Sequence, residues 1–350
     1  MANTPIQLTE QVLLEAARKY APVLSKLPMI VLQDTISKVH PIQGIQGDYV
    51  MANLKSKATW ATYRKNDGSG NEIKIAPRTL TTRLLSMQGA FDPQTVAGKL
   101  YNQRPNVGDA IKDLPIAAQV IAQAIVEASE DLNNNIFPAK YNTAGGGGTT
   151  PAQSFDGWDS ICADEIVKGA ASESTDPNAF DQGIAAKFGN YVDWSTHTLD
   201  EDNTFDALNY LWSKADEKLK RATGTIFFYV SPQVLDYYNI GYLKNVGPTV
   251  YNRDYQHPTI LSSDGKAKIM PLASKAGSQF IQVTTQDNML FGCSSLSDID
   301  NLVVKVPELW DVIFGGTTWL GTQFEYIHRS KLLVAKIAGM SEPKDPFAGA

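Results

Sequence analysis

Few residues in this chain could do chemistry, and their spacing argues against most reactions. A phosphate-binding loop needs Gly-x4-Gly-Lys-Ser/Thr, so that consecutive amides cradle oxygens. The nearest stretch, Gly68-Ser69-Gly70-Asn71-Glu72-Ile73-Lys74, misses that spacing. Gly145 to Gly148 follows no strand and opens into no helix carrying a further glycine, as a dinucleotide fold would require. No Gly-x-Ser-x-Gly nucleophile elbow occurs. The histidines, His40, His197, His257 and His328, are scattered, and none forms the i, i+4 pair that sets two imidazoles on one helix face.

Two acidic stretches remain. Asp131-Leu132-Asn133-Asn134-Asn135 begins like a calcium loop, but its sixth position is Ile136 and its twelfth is Asn142, so the bidentate closing ligand is missing. It reads as the polar end of a helix. Asp200-Glu201-Asp202 could hold a divalent ion and serve a hydrolase or transferase. Beside Asn203-Thr204 it reads instead as acids favoured at a helix N-terminus. Cys162 and Cys293 have no evident histidine partner and read as small buried residues. Two cysteines also cannot build a disulfide framework or a four-cysteine zinc site. No catalytic residue, cofactor or metal site is expected.

Charge is more informative. The 350 residues carry a net −6, which disfavours whole-chain affinity for nucleic acid. Residues 53–84 hold seven basic side chains (Lys55, Lys57, Arg64, Lys65, Lys74, Arg78 and Arg83) against Asp67 and Glu72, a net +5. Residues 151–203 hold eleven acids against Lys168 and Lys187, a net −9. Opposite patches of this kind either solvate separate surfaces or meet on different copies of one chain. No apolar run approaches the ~18 residues that cross a bilayer, and Met1 to Pro5 lacks a basic region leading into an apolar stretch.

The elements that would position these patches are legible. Thr9 caps an amphipathic helix reaching Tyr20, and Leu27 to Leu32 is apolar but irregular. Tyr49–Asn53 and Thr59–Arg64 read as strand. Lys65 to Asn71 is a turn rich in residues that tolerate positive φ, and Glu72–Ala76 with Thr79–Leu85 resumes the strand pattern. The result is a long β-hairpin with polar faces and no bulky apolar side, unable to bury itself alone. Pro115 sits in the first turn of a helix over Ile116–Asn135, whose apolar positions recur at helical spacing until Pro138. Thr204 caps a helix continuing through Leu219. Thr225–Val230 is an apolar strand, and Ser231-Pro232 starts another helix. Strands follow at Gln279–Thr284, Asn288–Gly292, Leu302–Val306, Leu309–Phe314 and Phe324–Ile337, before a loose tail. The fold class is α+β with at least two lobes.

This order of parts resembles the major capsid proteins of tailed bacteriophages, the phage Hong Kong 97 type, whose fold encapsulin shells share. The best local matches are Phe228-Tyr229-Val230-Ser231-Pro232-Gln233-Val234-Leu235-Asp236-Tyr237-Tyr238 and Thr285-Gln286-Asp287-Asn288-Met289-Leu290-Phe291-Gly292. The resemblance spans roughly residues 5–338. It implies an N-terminal arm (1–47) reaching another subunit, and an extended hairpin loop (48–90) lying across a neighbour. A peripheral domain (91–139 with 301–338) would be built on a spine helix, and an axial domain (140–300) would meet its copies about five- and six-fold axes. Residues 339–350 would be a tail. Inter-subunit contacts would come from Arg64, Lys65, Asn66, Asp67, Gly68, Lys74 and Arg78, and spine packing from Val120, Ile121, Ile125 and Leu132.

The implied protein is a virion capsid subunit assembled in host cytoplasm. Its hexamers and pentamers would enclose double-stranded DNA without sequence-specific binding, with scaffold, portal and decoration proteins as partners and no membrane. An encapsulin-type compartment shell is the alternative. Lys65 lies near the hairpin tip, but no asparagine or acid partner is identifiable, so covalent crosslinking is not expected.

Overall fold

The computed structural model describes residues 19–56, 62, 73–91, 116–174, 182–246, 259–308 and 311–342. Residues 19–24 are helical and lead to α1 (Leu27–Ile36), β1 (His40–Gln43), β2 (Asp48–Ser56), β3 (Ile73–Thr81) and β4 (Arg83–Phe91). Next come α2 (Ile116–Asn135), α3 (Trp158–Ala171), β5 (Tyr191–Leu199), α4 (Thr204–Lys214), the single turn α5 (Glu217–Lys220), β6 (Ile226–Val230) and α6 (Pro232–Val246). The strands β7 (Ala267–Pro271), β8 (Phe280–Thr285), β9 (Met289–Cys293), β10 (Asn301–Glu308), β11 (Asp311–Phe324) and β12 (Leu332–Met340) complete an α+β chain.

One sheet runs β5-β12-β8-β6-β7; its inner strands β8 and β6 are buried on both faces, whereas the edge strand β5 is largely exposed. The run Ile-Phe-Phe-Tyr-Val of β6 shows why. Ile226, Phe228 and Val230 pack with Leu208, Leu211 and Tyr238 of α4 and α6, whereas Tyr229 packs with Leu32, Trp158 and Ile161 of α1 and α3. An apolar strand without alternation is what a helix layer on each side demands. The second sheet runs β1-β9-β11-β10, and β4 also pairs with the 14-residue β11. Helix α2 covers one face of it: Ile121 and Ile125 are fully buried with Leu24, Leu27 and Phe314. Strands β2 and β3 form a separate hairpin, registered from Asp48↔Thr81 to Ser56↔Ile73.

Several expectations from the sequence are corrected. Residues 19–47 do not form a free arm, because α1 packs on α2 and β1 pairs in parallel with β9. Residues 1–18 lie outside the described residues. The irregular Leu27–Leu32 stretch belongs to α1, where Leu27, Met29, Leu32 and Ile36 are buried and Pro28 sits in the first turn. The helix from Thr204 stops at Lys214, and Asp216 caps α5 by accepting the Lys218 N–H at 2.8 Å. The cap of α4 is Asn203, one residue earlier than expected. Phe324 and Ile337 belong to different strands. Residues 301–338 do not stay in one sheet: β10 and β11 lie with β4, whereas β12 pairs with β5 and β8 in the other sheet. Strand β9, from within 140–300, joins β11. Strand β4 lies in the β11 sheet, outside the hairpin. Of the tail, Gly339 and Met340 extend β12, Ser341 bonds to the Leu199 carbonyl, and 343–350 lie outside the described residues.

The hairpin base crosses the second sheet over a glycine pair. Gly292 and Gly321 are opposite each other in the β9–β11 ladder. A Cβ at Gly321 would stand 2.3 Å from the Thr81 carbonyl oxygen, a backbone atom that cannot yield. Gly321→Ala is therefore expected to destabilise the subunit by about 1–3 kcal/mol, the cost of overpacking a rigid site. The readout is the urea midpoint, and an unchanged midpoint would refute the crossing.

Candidate functional site

The sequence directs attention to the hairpin, and pairing of β2 with β3 divides its residues into two faces. Tyr49, Met51 and Asn53 stand opposite Leu80, Arg78 and Ala76, whereas Val50, Ala52 and Leu54 stand opposite Thr79, Pro77 and Ile75. On the first face Leu80 is fully buried and Met51 nearly so, in a cluster with Ile45 and Leu290. That face holds the hairpin to its own body. On the second face Val50 is 62% exposed and Ile75 is 63% exposed. The expectation of two polar faces is thus corrected: one side gathers apolar positions and leaves them in solvent.

Arg78 also departs from expectation. The resemblance implies a contact with another subunit for it, but within the subunit it is only 7% exposed. Its Nη1 donates to Glu165 Oε1 at 2.9 Å, Nη2 to Gln323 Oε1 at 2.9 Å and Nε to the Phe324 carbonyl at 3.1 Å. A planar fork with three acceptors ties β3 to α3 and to the end of β11. Arg78→Met leaves Glu165, itself 13% exposed, with only Lys168 at 3.8 Å as a counter-charge, and is expected to cost about 3 kcal/mol in urea unfolding. Arg78→Lys should recover little, because an ammonium cannot reach the three acceptors in that geometry. Full recovery by lysine would reduce the clamp to simple charge.

Of the remaining expected contact residues, Arg64, Lys65, Asn66, Asp67 and Gly68 lie outside the described residues. Lys74 is opposite Lys55 in the hairpin register. Among the spine positions, Ile121 and Ile125 are buried, Leu132 is half-buried against the larger core cluster, and Val120 lies within α2.

A second apolar surface accompanies the hairpin. In the β4–β11–β10 ladders, Leu84 is opposite Trp319, Ile313 is opposite Ala90 and Lys305, and Val303 is opposite Gly315. These positions share the face turned away from Phe314 and α2. Leu84 is 55%, Val303 48% and Ile313 41% exposed there.

The residues screened for chemistry take structural places. Cys162 and Cys293 are buried free thiols. Burial pushes Cys162 up, and pushes Cys293 to about 11, so both stay protonated near neutrality. Asp200 Oδ1 accepts the Asp202 and Asn203 N–H groups, and Lys244 pairs with Asp202 at 2.7 Å and Glu201 at 3.6 Å. Asn135 donates to Asp131 within α2. Among the described residues no group of three His, Cys, Asp or Glu side chains could hold a metal ion. None of the described helices is long and apolar enough to cross a membrane.

No protein-family model matches the chain, and no curated protein matches it. Solved structures do. A chain of the satellite phage P4 procapsid, a particle that includes the size determination protein Sid, is 11% identical over 95% of this chain and 92% of its own, with a TM-score of 0.50. The capsid of the native GTA particle is 10% identical over 88% of this chain and 90% of its own, with a TM-score of 0.53. The capsid of Myoviridae phage XM1 is 9% identical over 86% and 90%, with a TM-score of 0.50. The chain therefore has the fold of these capsid chains.

Proposed function

We propose that this chain is the structural, non-enzymatic subunit of an icosahedral viral shell, forming hexamers and pentamers that enclose double-stranded DNA. The observation that carries the proposal is the β2–β3 hairpin, anchored by Arg78 and Leu80 while Val50 and Ile75 are left in solvent. A monomer gains nothing from the face it leaves in solvent, whereas a second copy that covers it would offset the conformational entropy lost. The shared fold with capsid chains, spanning nearly the whole chain, supports the same reading.

In this reading the hairpin is the extended loop, and its apolar face lies on the uncovered Leu84–Val303–Ile313 face of a neighbour. Arg64 to Gly68 and Lys74 supply polar contacts around that patch. Helix α2 is the spine of the peripheral domain. Residues 140–300 apart from β9, joined by β12, form the axial domain about five- and six-fold axes. The contact is heterologous, the kind that forms a ring when the rotation between successive copies closes. The net charge of −6 suits a shell that holds DNA without gripping its phosphates. The particle is the virion capsid, assembled in host cytoplasm with scaffold, portal and decoration proteins.

Electron microscopy of the purified protein, with sedimentation velocity, tests the proposal. Capsomer rings or closed shells are expected. A species that remains a 38.2 kDa monomer at high concentration, with no particle formed, would overturn it.

A further inference from the structure

A cleft of about 690 Å³ opens between α2, the inner face of β4 and β11, and the loop at Gly146–Pro151. Its floor holds an arginine without a carboxylate. The Arg83 guanidinium lies over the Tyr141 ring, 4.2 Å from its centroid, and its Nε is buried without an acceptor. Thr318, 7% exposed, also lines the cleft, and its hydroxyl is buried without a partner. Leu85 is opposite Thr318 and Arg83 is opposite Leu320, so Arg83 and Thr318 are diagonal neighbours on one face of the β4–β11 ladder. Two buried polar groups on one face of the ladder thus lack a partner, an arrangement that costs free energy until one is supplied. A guanidinium stacked on an aromatic ring keeps its edge for an in-plane, two-oxygen acceptor.

We propose that this cleft binds a carboxylate side chain on an acidic segment of a second copy of this chain. The inference rests on the assembly reading above. Asp131 lines the opposite side of the cleft, which suits a single carboxylate better than a run of phosphates. Leu85 and Leu132 also line it and offer apolar contact beside the acid. Residues 151–203 carry a net −9; Asp159, Glu165 and Asp202 are held in pairs within the chain, which leaves acids such as the exposed Glu173 to supply the complementary charge.

The test uses short fluorescent peptides tiling residues 151–203, titrated into the full chain held as dissociated subunits and followed by anisotropy. One peptide should bind, and its affinity should fall at least about tenfold with Arg83→Gln, or when its own acids are replaced by amides. Arg83→Lys should not restore binding. Thr318→Val, which keeps shape and fold, should weaken it several-fold, with unchanged melting as the control. If no peptide binds, or if binding ignores both Arg83→Gln and Thr318→Val, the inference is overturned. If a short DNA duplex binds through Arg83 and the peptides do not, the cleft is a phosphate site and the inference is likewise overturned. Shells that form normally from a chain whose cleft binds no peptide would remove this inference and leave the assembly reading intact.

Discussion

Val50→Asp combined with Ile75→Asp is expected to yield a folded subunit that does not assemble. Both side chains are more than 60% exposed in the subunit, so their loss removes almost no intrachain packing. In an assembled contact each would contribute about 1.5–3 kcal/mol of apolar burial. The introduced carboxylates would also be desolvated without partners, which adds several kcal/mol more. Every copy in a closed shell carries the substitution twice, so the penalty repeats around each ring. Circular dichroism and thermal melting should match the parent chain, while sedimentation shows only small species. Normal shells would show that the apolar face is not a contact.

Charge reversal at Arg64, Lys65 and Lys74 provides the comparison. Exposed ion pairs are worth about 0–1 kcal/mol each and are screened beyond about 8 Å at physiological ionic strength. Reversal should therefore slow assembly in a salt-dependent way without abolishing it. The apolar face is expected to outweigh the basic residues, although these are what the sequence displays.

Lys275→Met is expected to be the most destabilising single change around the β5-β12-β8-β6-β7 sheet. The Lys275 side chain is 0% exposed and Asp159 is 6% exposed, with Nζ 3.3 Å from Oδ1. Gln282 Nε2 donates to the same oxygen at 2.6 Å and Ser278 Oγ donates to Oδ2 at 2.6 Å. Nζ also donates to Gln282 Oε1 and stands 4.6 Å from the Phe137 ring centroid. The network joins α3 to the turn after β7 and to β8. Removing the cation leaves a buried carboxylate without its counter-charge, a loss of about 3–5 kcal/mol in urea unfolding. The double change Lys275→Met with Asp159→Leu should recover most of it, because no charge then remains buried. A loss as large in the double variant as in the single one would show that packing, not charge, sets the cost.

The pH dependence has a definite sign. Burial holds the Lys275 ammonium below its ordinary 10.5, outweighing the pull of Asp159. The folded state then binds fewer protons than the unfolded state between those two values. Stability attributable to Lys275 therefore rises with pH across that window. Subtracting the profile of the double variant from that of the parent chain should isolate this rise, and a fall would refute it.

Local order was readable where residues speak for themselves. The period of Ile121, Ala124, Ile125, Ala128 and Leu132 placed α2 over Ile116–Asn135. Ile226–Val230 followed by Pro232 placed β6 and α6, and the alternation around Ile73–Ala76 placed a hairpin strand. What failed was partnership. Nothing in Phe324–Ile337 states that β12 leaves the β11 sheet to lie between β5 and β8. The composition around Arg78 likewise does not reveal Glu165, Gln323 and Phe324 waiting for it. Val50 and Ile75 are far apart in sequence. They share a face only because Asp48 pairs with Thr81, and a one-residue slip would send each to the opposite side.

Most elements and the asymmetry of charge follow from neighbouring residues and from composition, so they are legible in the chain alone. Packing sets which face of each element is covered, which cation is buried and which apolar positions stay exposed. Those outcomes depend on strand register and on contacts between residues hundreds of positions apart, and no local pattern carries that information.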